Sequence, residues 1–218
     1  MSKLVADSIN LQYGTKTVLS DIYAVFEIGN VVGILGRNGA GKSSLLKIIF
    51  GTLEAQSQFI RLDEERAIRP YMKDGLMSFL PQDDFVPGYL KVKTVLRLFS
   101  VDEQRLLADF PGFEKLLHTR VKNLAGGERR LLETYIILKK KVKFVLLDEP
   151  FSYLMPLYIE KLKEIIKIEK AHKCIVITDH MYRDVEQLSD VLYLISDGKM
   201  SKVEKRQQLV DLGYLSFT

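Results

Sequence analysis

Cysteine, tryptophan and long apolar runs are scarce or missing in this chain of 218 residues, and each scarcity excludes a class of protein. The single cysteine, Cys174, cannot form an intramolecular disulfide, and its apolar neighbours indicate a buried core side chain. No apolar stretch approaches the about 20 residues that a membrane-spanning helix requires, and residues 1–11 lack the apolar core of a secretory signal. We therefore expect a cytoplasmic protein without a spanning helix of its own.

An excess of charge of one sign is also missing. The chain has 32 Lys and Arg against 28 Asp and Glu, a net charge of +4. No run interleaves basic and aromatic residues as a base-stacking platform would, so no nucleic-acid partner is expected. The densest basic patch, residues 139–143, is typical of a solvated helix end, with an acidic partner or membrane headgroups as the alternative.

The hydrophobic pattern predicts a mixed α/β protein. Alternating apolar residues predict antiparallel strands near the start of the chain, and four short apolar runs predict parallel strands buried on both faces. Apolar residues at helical intervals predict an inserted helical region. The predicted parts of one domain over residues 1–218 are a β subdomain (1–30 and 52–70), a parallel α/β core (31–51 and 141–200), a helical subdomain (83–140) and a C-terminal tail (201–218).

The segment from Gly36 to Ser43 fits the phosphate-binding pattern G-x-x-x-x-G-K-[S/T] between an apolar strand and a helix that continues at Ser44. Backbone N–H groups of such a loop bind phosphate oxygens, Lys42 adds a positive charge, and the Ser43 hydroxyl is suited to ligate Mg²⁺. The predicted nucleotide-binding residues here are Gly36, Arg37, Asn38, Gly39, Ala40, Gly41, Lys42, Ser43 and Ser44.

Two acidic residues end the apolar run at 144–147. Asp148 is at the tip of this predicted strand, where its carboxylate can hold Mg²⁺ directly or through water. Glu149 follows it and can act as the general base that activates an attacking water. A phosphate loop followed by such a strand predicts nucleotide hydrolysis, but kinases, GTPases and helicases share both features.

A third motif, Leu124-Ala125-Gly126-Gly127-Glu128, precedes that strand and opens a predicted helix running to about residue 140. With it, the chain resembles the nucleotide-binding subunits of ATP-binding cassette (ABC) proteins, whose signature is Leu-Ser-Gly-Gly-Gln. Other elements match in order: Gln82 resembles the Q-loop glutamine, His180 the switch histidine, and Tyr13 the aromatic residue that stacks on adenine. Within the family, the chain is similar to the ATPases of lipopolysaccharide export and of branched-chain amino-acid import.

The resemblance implies a P-loop NTPase (RecA-like) fold, ATP and Mg²⁺ as cofactors, and hydrolysis to ADP and phosphate. It implies that Gln82 joins Ser43 and Asp148 at Mg²⁺, that His180 contacts the γ-phosphate, and that residues 124–128 act on ATP bound to a second cassette. That cassette would be an identical or related chain in a head-to-tail dimer. The resemblance further implies integral membrane permease subunits as partners, and a location at the inner face of the cell membrane.

Three residues depart from the family pattern. Ala125 stands where the signature has serine, Glu128 where it has glutamine, and Met155 where the D-loop has aspartate. These departures question communication between paired sites, although the residues for binding and hydrolysis are present. Two alternatives therefore stay open: a soluble cassette ATPase acting on ribosomes, DNA or a signalling partner, and a nucleotide-binding switch with low turnover.

Overall fold

The chain forms two β-sheets with helices on both sides of the larger one, as described by a computed structural model over residues 2–67 and 69–215. The strands are β1 (Lys3–Tyr13), β2 (Lys16–Glu27), β3 (Val31–Gly36), β4 (Ser57–Leu62), β5 (Glu65–Arg66), β6 (Met77–Leu80), β7 (Phe144–Asp148), β8 (Cys174–Thr178), β9 (Val191–Ser196) and β10 (Lys199–Val203). The helices are α1 (Lys42–Phe50), α2 (Val92–Leu98), α3 (Glu103–Asp109), α4 (Gly126–Leu138), α5 (Pro156–Glu169), α6 (Tyr182–Leu188) and α7 (Gln207–Asp211). Met1, Ile68 and residues 216–218, which the predicted subdomain ranges include, lie outside the described residues.

The smaller sheet is antiparallel, with strand order β2-β1-β4-β5. β1 and β2 form a hairpin in which Lys3 pairs with Glu27 and Tyr13 with Lys16. Gly14, in the connecting turn, has a φ of 58°, a left-handed conformation that glycine adopts at low energy. The hairpin therefore presents Tyr13 at its tip, next to the turn.

The larger sheet has strand order β10-β9-β3-β8-β7-β6, and only β10 runs antiparallel to its neighbour. The register pairs Asp148 at the end of β7 with Thr178 at the end of β8. Because the parallel strands run in one direction, the carboxyl ends of β3, β7 and β8 lie along one edge, where open α/β sheets bind their ligands.

Apolar side chains on the two faces of the larger sheet form two hydrophobic cores. On one face, residues such as Val32, Phe144 and Val176 pack with α1 and the smaller sheet. On the other, residues such as Val31 and Val145 pack with α4, α5 and the helical region. Burial on both faces explains why these strands read as continuous apolar runs.

The fold class predicted from the sequence is confirmed: a parallel α/β core with an antiparallel β subdomain and an inserted helical subdomain. α4 ends at Leu138, close to the predicted end. β5, β6 and β10 are not among the predicted strands, because β5 and β6 have only two and four residues and β10 is a largely polar edge strand. The predicted subdomain boundaries stay a prediction. Within residues 2–67 and 69–215, no helix has the length and apolarity to cross a membrane.

Candidate functional site

The phosphate loop predicted from the sequence connects β3 to α1. Gly39 and Gly41 have φ angles of 78° and 99°, a region in which L-residues with side chains are rare. A Cβ added to Gly41 would lie 2.8 Å from a side-chain carbon of Leu19 and 2.9 Å from one of Val18. α1 begins directly after this glycine, so the unpaired N–H groups of its first turn face the loop. The loop thus has the form that binds anionic phosphates.

Lys42 directs its ammonium group back towards this loop. Its Nζ donates hydrogen bonds to the carbonyl oxygens of Gly36 at 2.7 Å and Arg37 at 3.3 Å. Burial lowers the pKa of Lys42, and the negative charges of nearby carboxylates, foremost Glu149, oppose that shift. The lysine therefore lies where the phosphate loop meets the acidic end of β7.

Asp148 is completely buried at the end of β7. Its Oδ1 accepts a hydrogen bond of 2.6 Å from the hydroxyl of Thr178. Its Oδ2 is buried and has no hydrogen-bond partner among the described residues. Buried carboxylate oxygens nearly always have a partner, so an unpaired one is suited to a cation or its bound water.

Glu149 has a backbone conformation that is unusual for a residue with a side chain. Its φ is 53°, in the left-handed region, and such positions often occur where function requires them. Its N–H donates to the carbonyl oxygen of Thr178 at 2.7 Å, and its Oε2 accepts a hydrogen bond of 3.2 Å from the Ser152 hydroxyl. These contacts fix both the backbone and the carboxylate of Glu149.

His180 follows β8 and remains exposed over 57% of its side chain. Its Nδ1 lies 3.4 Å from Oδ1 of Asp179 and 3.9 Å from Oε2 of Glu149. Asp179 is fully buried and accepts hydrogen bonds of 3.0 Å from the N–H groups of Phe151 and Met181. Burial raises the pKa of Asp179, and these two hydrogen bonds oppose the shift. A fixed carboxylate thus lies beside the imidazole.

Lys42, Glu149 and His180 face one open cleft of about 710 Å³, whereas the buried Asp148 and Asp179 are not in its lining. Its lining comprises Tyr13, Lys16, Val18, Asn38, Gly39, Ala40, Gly41, Lys42, Ser43, Ser44, Gln82, Glu149 and His180. The lining therefore combines residues of the smaller sheet, the phosphate loop, the start of α1 and the segments that follow β6, β7 and β8. The proposed roles of these residues stay a prediction.

Arg37 and Gly36, also predicted to bind nucleotide, do not line this cleft. Arg37 faces a second cavity of about 490 Å³ and donates from Nη2 to the carbonyl oxygen of Gly213 at 2.7 Å. A Cβ on Gly36 would lie 2.9 Å from the carbonyl oxygen of Ile195, so glycine allows the loop to pass close to β9. Arg37 therefore connects the loop to a residue that follows α7.

The signature segment, residues 124–128, lies outside the cleft. Leu124 is buried, and Ala125 occupies the N-cap position of α4 without a side-chain oxygen. Glu128 turns its carboxylate back, so that Oε2 accepts a hydrogen bond of 2.9 Å from the N–H of Ala125. This carboxylate closes half of a capping box and compensates in part for the missing serine.

The two signature glycines have different surroundings. A Cβ added to Gly127 would lie 2.5 Å from the carbonyl oxygen of Tyr153, so the glycine allows α4 to contact the loop after β7. A Cβ on Gly126 would meet nothing within 4 Å. The start of α4 therefore presents an open backbone surface at Gly126.

The donors predicted for Mg²⁺ fit a hard cation. The Ser43 hydroxyl and the Gln82 amide are in the lining of the cleft, and Oδ2 of Asp148 is unpaired. Few protein oxygens suffice for Mg²⁺ when phosphate and water supply the rest. In the described part of the chain, no group of three or more His, Cys, Asp or Glu is arranged to hold a metal alone.

Several residues of the site are not among the predicted ones. Lys16 and Val18 of β2 line the cleft, Thr178 binds Asp148, and Asp179 lies against His180. Asp179 and Thr178 could be found from their position beside His180 at the end of an apolar strand. No sequence signal indicates Lys16.

Comparisons with known proteins agree with this geometry. The sequence pattern of the family described as ABC transporter matches residues 19–152. The chain is 30% identical to the lipopolysaccharide export system ATP-binding protein LptB of Acidithiobacillus ferridurans, over 97% of this chain and 94% of that protein. It is 28% identical to a probable branched-chain amino acid transport ATP-binding protein LivF of Archaeoglobus fulgidus, over 88% of each. A solved ATP-binding subunit of an ABC transporter superposes with a TM-score of 0.83 at 24% identity, over 99% of this chain and 95% of that one.

Proposed function

The chain belongs to the ABC transporter family and is an ATPase of that family, and from this premise we propose that it powers transport by ATP-driven head-to-tail pairing of two cassettes. The observation that carries the proposal is the shared cleft, in which a phosphate loop, Lys42, Glu149 and His180 face one another. The relatives named as export and import proteins support a role in transport without selecting a cargo.

The residues of this chain would bind and orient ATP as follows. The amides of the phosphate loop and Lys42 bind the phosphates, and Tyr13, exposed over 54% of its surface at the hairpin tip, stacks on the adenine. Ser43, Gln82 and Asp148 hold Mg²⁺, which neutralises phosphate charge when bound. We infer that Lys16 adds a further positive charge at the same cleft.

Glu149 is the residue best placed to accept a proton from water. Its carboxylate lines the cleft, and Ser152 holds one of its oxygens, so the other is free to face a bound water. His180 lies on the same side and, kept in place by Asp179, would contact the γ-phosphate. Together they would position the water and remove its proton.

The signature segment lies outside this chain's own cleft and would act on a partner's nucleotide. The open backbone at Gly126 and the N-terminus of α4 can approach a γ-phosphate without steric hindrance. A two-fold axis would then form two sites, each completed by the other copy.

The membrane partner would dock beside the segment that follows Gln82. Of three residues there, Val86 is buried and Phe85 packs edge-on against Phe99, whereas Tyr89 is exposed over 72% of its surface. Tyr89 is therefore the one of the three available to a permease subunit. A location at the inner face of the membrane would follow from this contact.

The proposal is tested by pairing and turnover together. In Glu149→Gln, saturating MgATP should produce a dimer by light scattering, and hydrolysis should fall by about a hundredfold or more. Glu164→Gln, on the exposed side of α5, is the matched control and should hydrolyse like the unaltered protein. If Glu149→Gln and the unaltered protein hydrolysed ATP at equal rates, Glu149 would not be the general base.

A second candidate, a nucleotide-binding switch with low turnover, is favoured by the missing serine at Ala125 and by the exposed Met155 in the place of the D-loop aspartate. Turnover with and without the membrane partner, obtained by co-purification from detergent extracts, separates the two. Stimulation by a polytopic membrane protein supports transport, and slow turnover that no partner changes supports the switch.

A further inference from the structure

Arg130 lies one turn into α4 and is 3% exposed. Its guanidinium donates from Nη1 to the carbonyl oxygen of Pro81 at 2.8 Å and from Nε to that of Glu149 at 3.2 Å. Nη2 donates to the carbonyl oxygen of Asp148. One side chain therefore binds three backbone oxygens from two separate segments.

These two segments carry the residues proposed to act on Mg²⁺ and water. Pro81 precedes Gln82, and the other two carbonyls belong to Asp148 and Glu149 themselves. No hydrogen bond between backbone groups joins residues 81–84 to residues 148–150. Arg130 therefore supplies a direct link between the glutamine segment and the end of β7.

The arrangement at Glu149 needs such support. Its φ of 53° is a left-handed conformation, which for residues with side chains is stable only where surrounding contacts enforce it. The N–H of Glu149 is bound to Thr178, and its carbonyl oxygen is bound to Arg130. Both polar backbone groups of the proposed base are thus fixed.

A buried carboxylate on the same helix lies beside the guanidinium of Arg130. Glu133, fully buried one turn later, lies 3.9 Å from Nη1 through Oε2 and accepts from the N–H groups of Phe85 and Val86 through Oε1. Burial lowers the pKa of Arg130 and the negative charge of Glu133 opposes the shift, while an arginine remains charged at any ordinary pH. α4 thus holds the segment after β6 at two successive places.

We propose that Arg130 is a positioning residue for hydrolysis, which holds Gln82 and Glu149 in register by binding the backbone of both segments. The inference rests on the proposed roles of these two residues. Arg130 is buried and is not in the lining of the cleft, so it would act through these two segments. Because α4 begins at the signature segment, a displacement of that segment would also move Arg130 and, through its hydrogen bond, the backbone of Glu149.

The test compares Arg130→Met and Arg130→Lys with Arg105→Met, an exposed arginine on α3 that lies outside the site. In Arg130→Met, kcat should fall about tenfold or more while KM for ATP changes less than about threefold, because Arg130 does not line the cleft and its hydrogen bonds go to Pro81, Asp148 and Glu149. Arg130→Lys should recover part of kcat, since lysine keeps the charge but cannot span three carbonyls. Arg105→Met should match the unaltered protein.

Hydrogen exchange provides a readout that does not require turnover. In Arg130→Met, peptides covering residues 80–84 and 148–152 should both exchange faster, whereas a peptide covering residues 36–44 should not change. Unchanged exchange in either of the first two peptides, or an unchanged kcat, would overturn the inference. So would a uniform rise in exchange together with a rise in KM, which indicates general loss of structure. If the unaltered protein itself fails to hydrolyse ATP, the proposed function fails, and the exchange result still decides the role of Arg130.

Discussion

The hydroxyl of Thr178 donates a hydrogen bond of 2.6 Å to Oδ1 of Asp148, and this bond determines which carboxylate oxygen stays free. The contact follows from the register of the sheet, which pairs the last residues of β7 and β8. Because Oδ2 alone lacks a partner among the described residues, we expect the cation to be approached through that oxygen. The rotamer of Asp148 is therefore set from the neighbouring strand.

Thr178→Val keeps the shape of the side chain but removes this hydrogen bond. We expect the Mg²⁺ concentration for half-maximal hydrolysis to rise about tenfold, because a hydrogen bond to a charged group contributes about 1.5 kcal/mol. A magnesium titration of ATPase activity measures the change. Thr178→Ser, the control, retains the hydroxyl and should behave like the unaltered protein. If Thr178→Val also needed no more Mg²⁺ than the unaltered protein, the proposed role of Asp148 would be contradicted.

Ala125→Ser should stabilise the protein. Ala125 already has the extended backbone of an N-cap, with φ −62° and ψ 153°, and Glu128 already supplies the other half of the capping box. A serine oxygen there would accept from a free N–H of α4 and add about 1 kcal/mol to the free energy of unfolding. Chemical denaturation measures this gain. The same exchange at Ala108, inside α3, should instead lower stability slightly.

Alanine at the two signature glycines should affect different properties, stability at Gly127 and pairing at Gly126. Gly127→Ala would bring a Cβ within 2.5 Å of the Tyr153 carbonyl oxygen and should lower the free energy of unfolding by about 1–3 kcal/mol. Gly126→Ala meets open space and should leave the unfolding temperature of the single chain unchanged. When Gly126→Ala is combined with Glu149→Gln, however, the double variant should form less dimer in MgATP than Glu149→Gln alone, as measured by light scattering. Intact pairing would argue against a phosphate contact at Gly126.

Glu169 should stabilise the fold in a pH-dependent manner. Burial tends to raise the pKa of Glu169, but hydrogen bonds of 2.6 Å from Lys173 and 2.9 Å from Lys139 outweigh it, and the pKa is lowered. A carboxyl group whose pKa is lower in the folded state stabilises fully above its unfolded pKa, and this contribution is lost as pH falls through the folded pKa.

Glu169→Gln should therefore lower the free energy of unfolding at neutral pH by about 2 kcal/mol, because it removes the charged acceptor of hydrogen bonds from two largely buried lysines. The difference from the unaltered protein should narrow in strongly acid solution, where Glu169 is protonated in both states. Denaturation curves at a series of pH values measure it. Glu164→Gln, at an exposed ion pair, should show almost no difference at any pH.

The sequence was sufficient to predict the central fold and the family. The strand, glycine loop and helix around Lys42 have local signals, and a motif that ends a buried parallel strand must lie at the ligand-binding edge. Residues far apart in sequence, such as Gln82 and His180, therefore reach one cleft. Both the fold class and the resemblance to ABC proteins are confirmed.

What could not be predicted depends on contacts between elements. The bond from Thr178 to Asp148 requires the register of two strands, and the three bonds of Arg130 require the packing of α4 against two loops. The hydrogen bond from the Ala125 N–H to Glu128 could be predicted from the capping-box spacing, in which a glutamate lies three residues after the N-cap. The resemblance to the family signature instead places Glu128 among the residues that act on nucleotide.

The contact between Arg37 and Gly213 joins residues that are 176 positions apart in the sequence. Nearby, the rings of Tyr182 and Tyr214 meet edge to face at 6.3 Å, so the same late segment also touches the first residue of α6. The stretch that matches the family pattern ends at residue 152, before Tyr182, Gly213 and Tyr214. The nucleotide loop is therefore supported in part by residues that lie outside that stretch, so a fragment ending at residue 152 would lack the hydrogen bond that holds the Arg37 side chain.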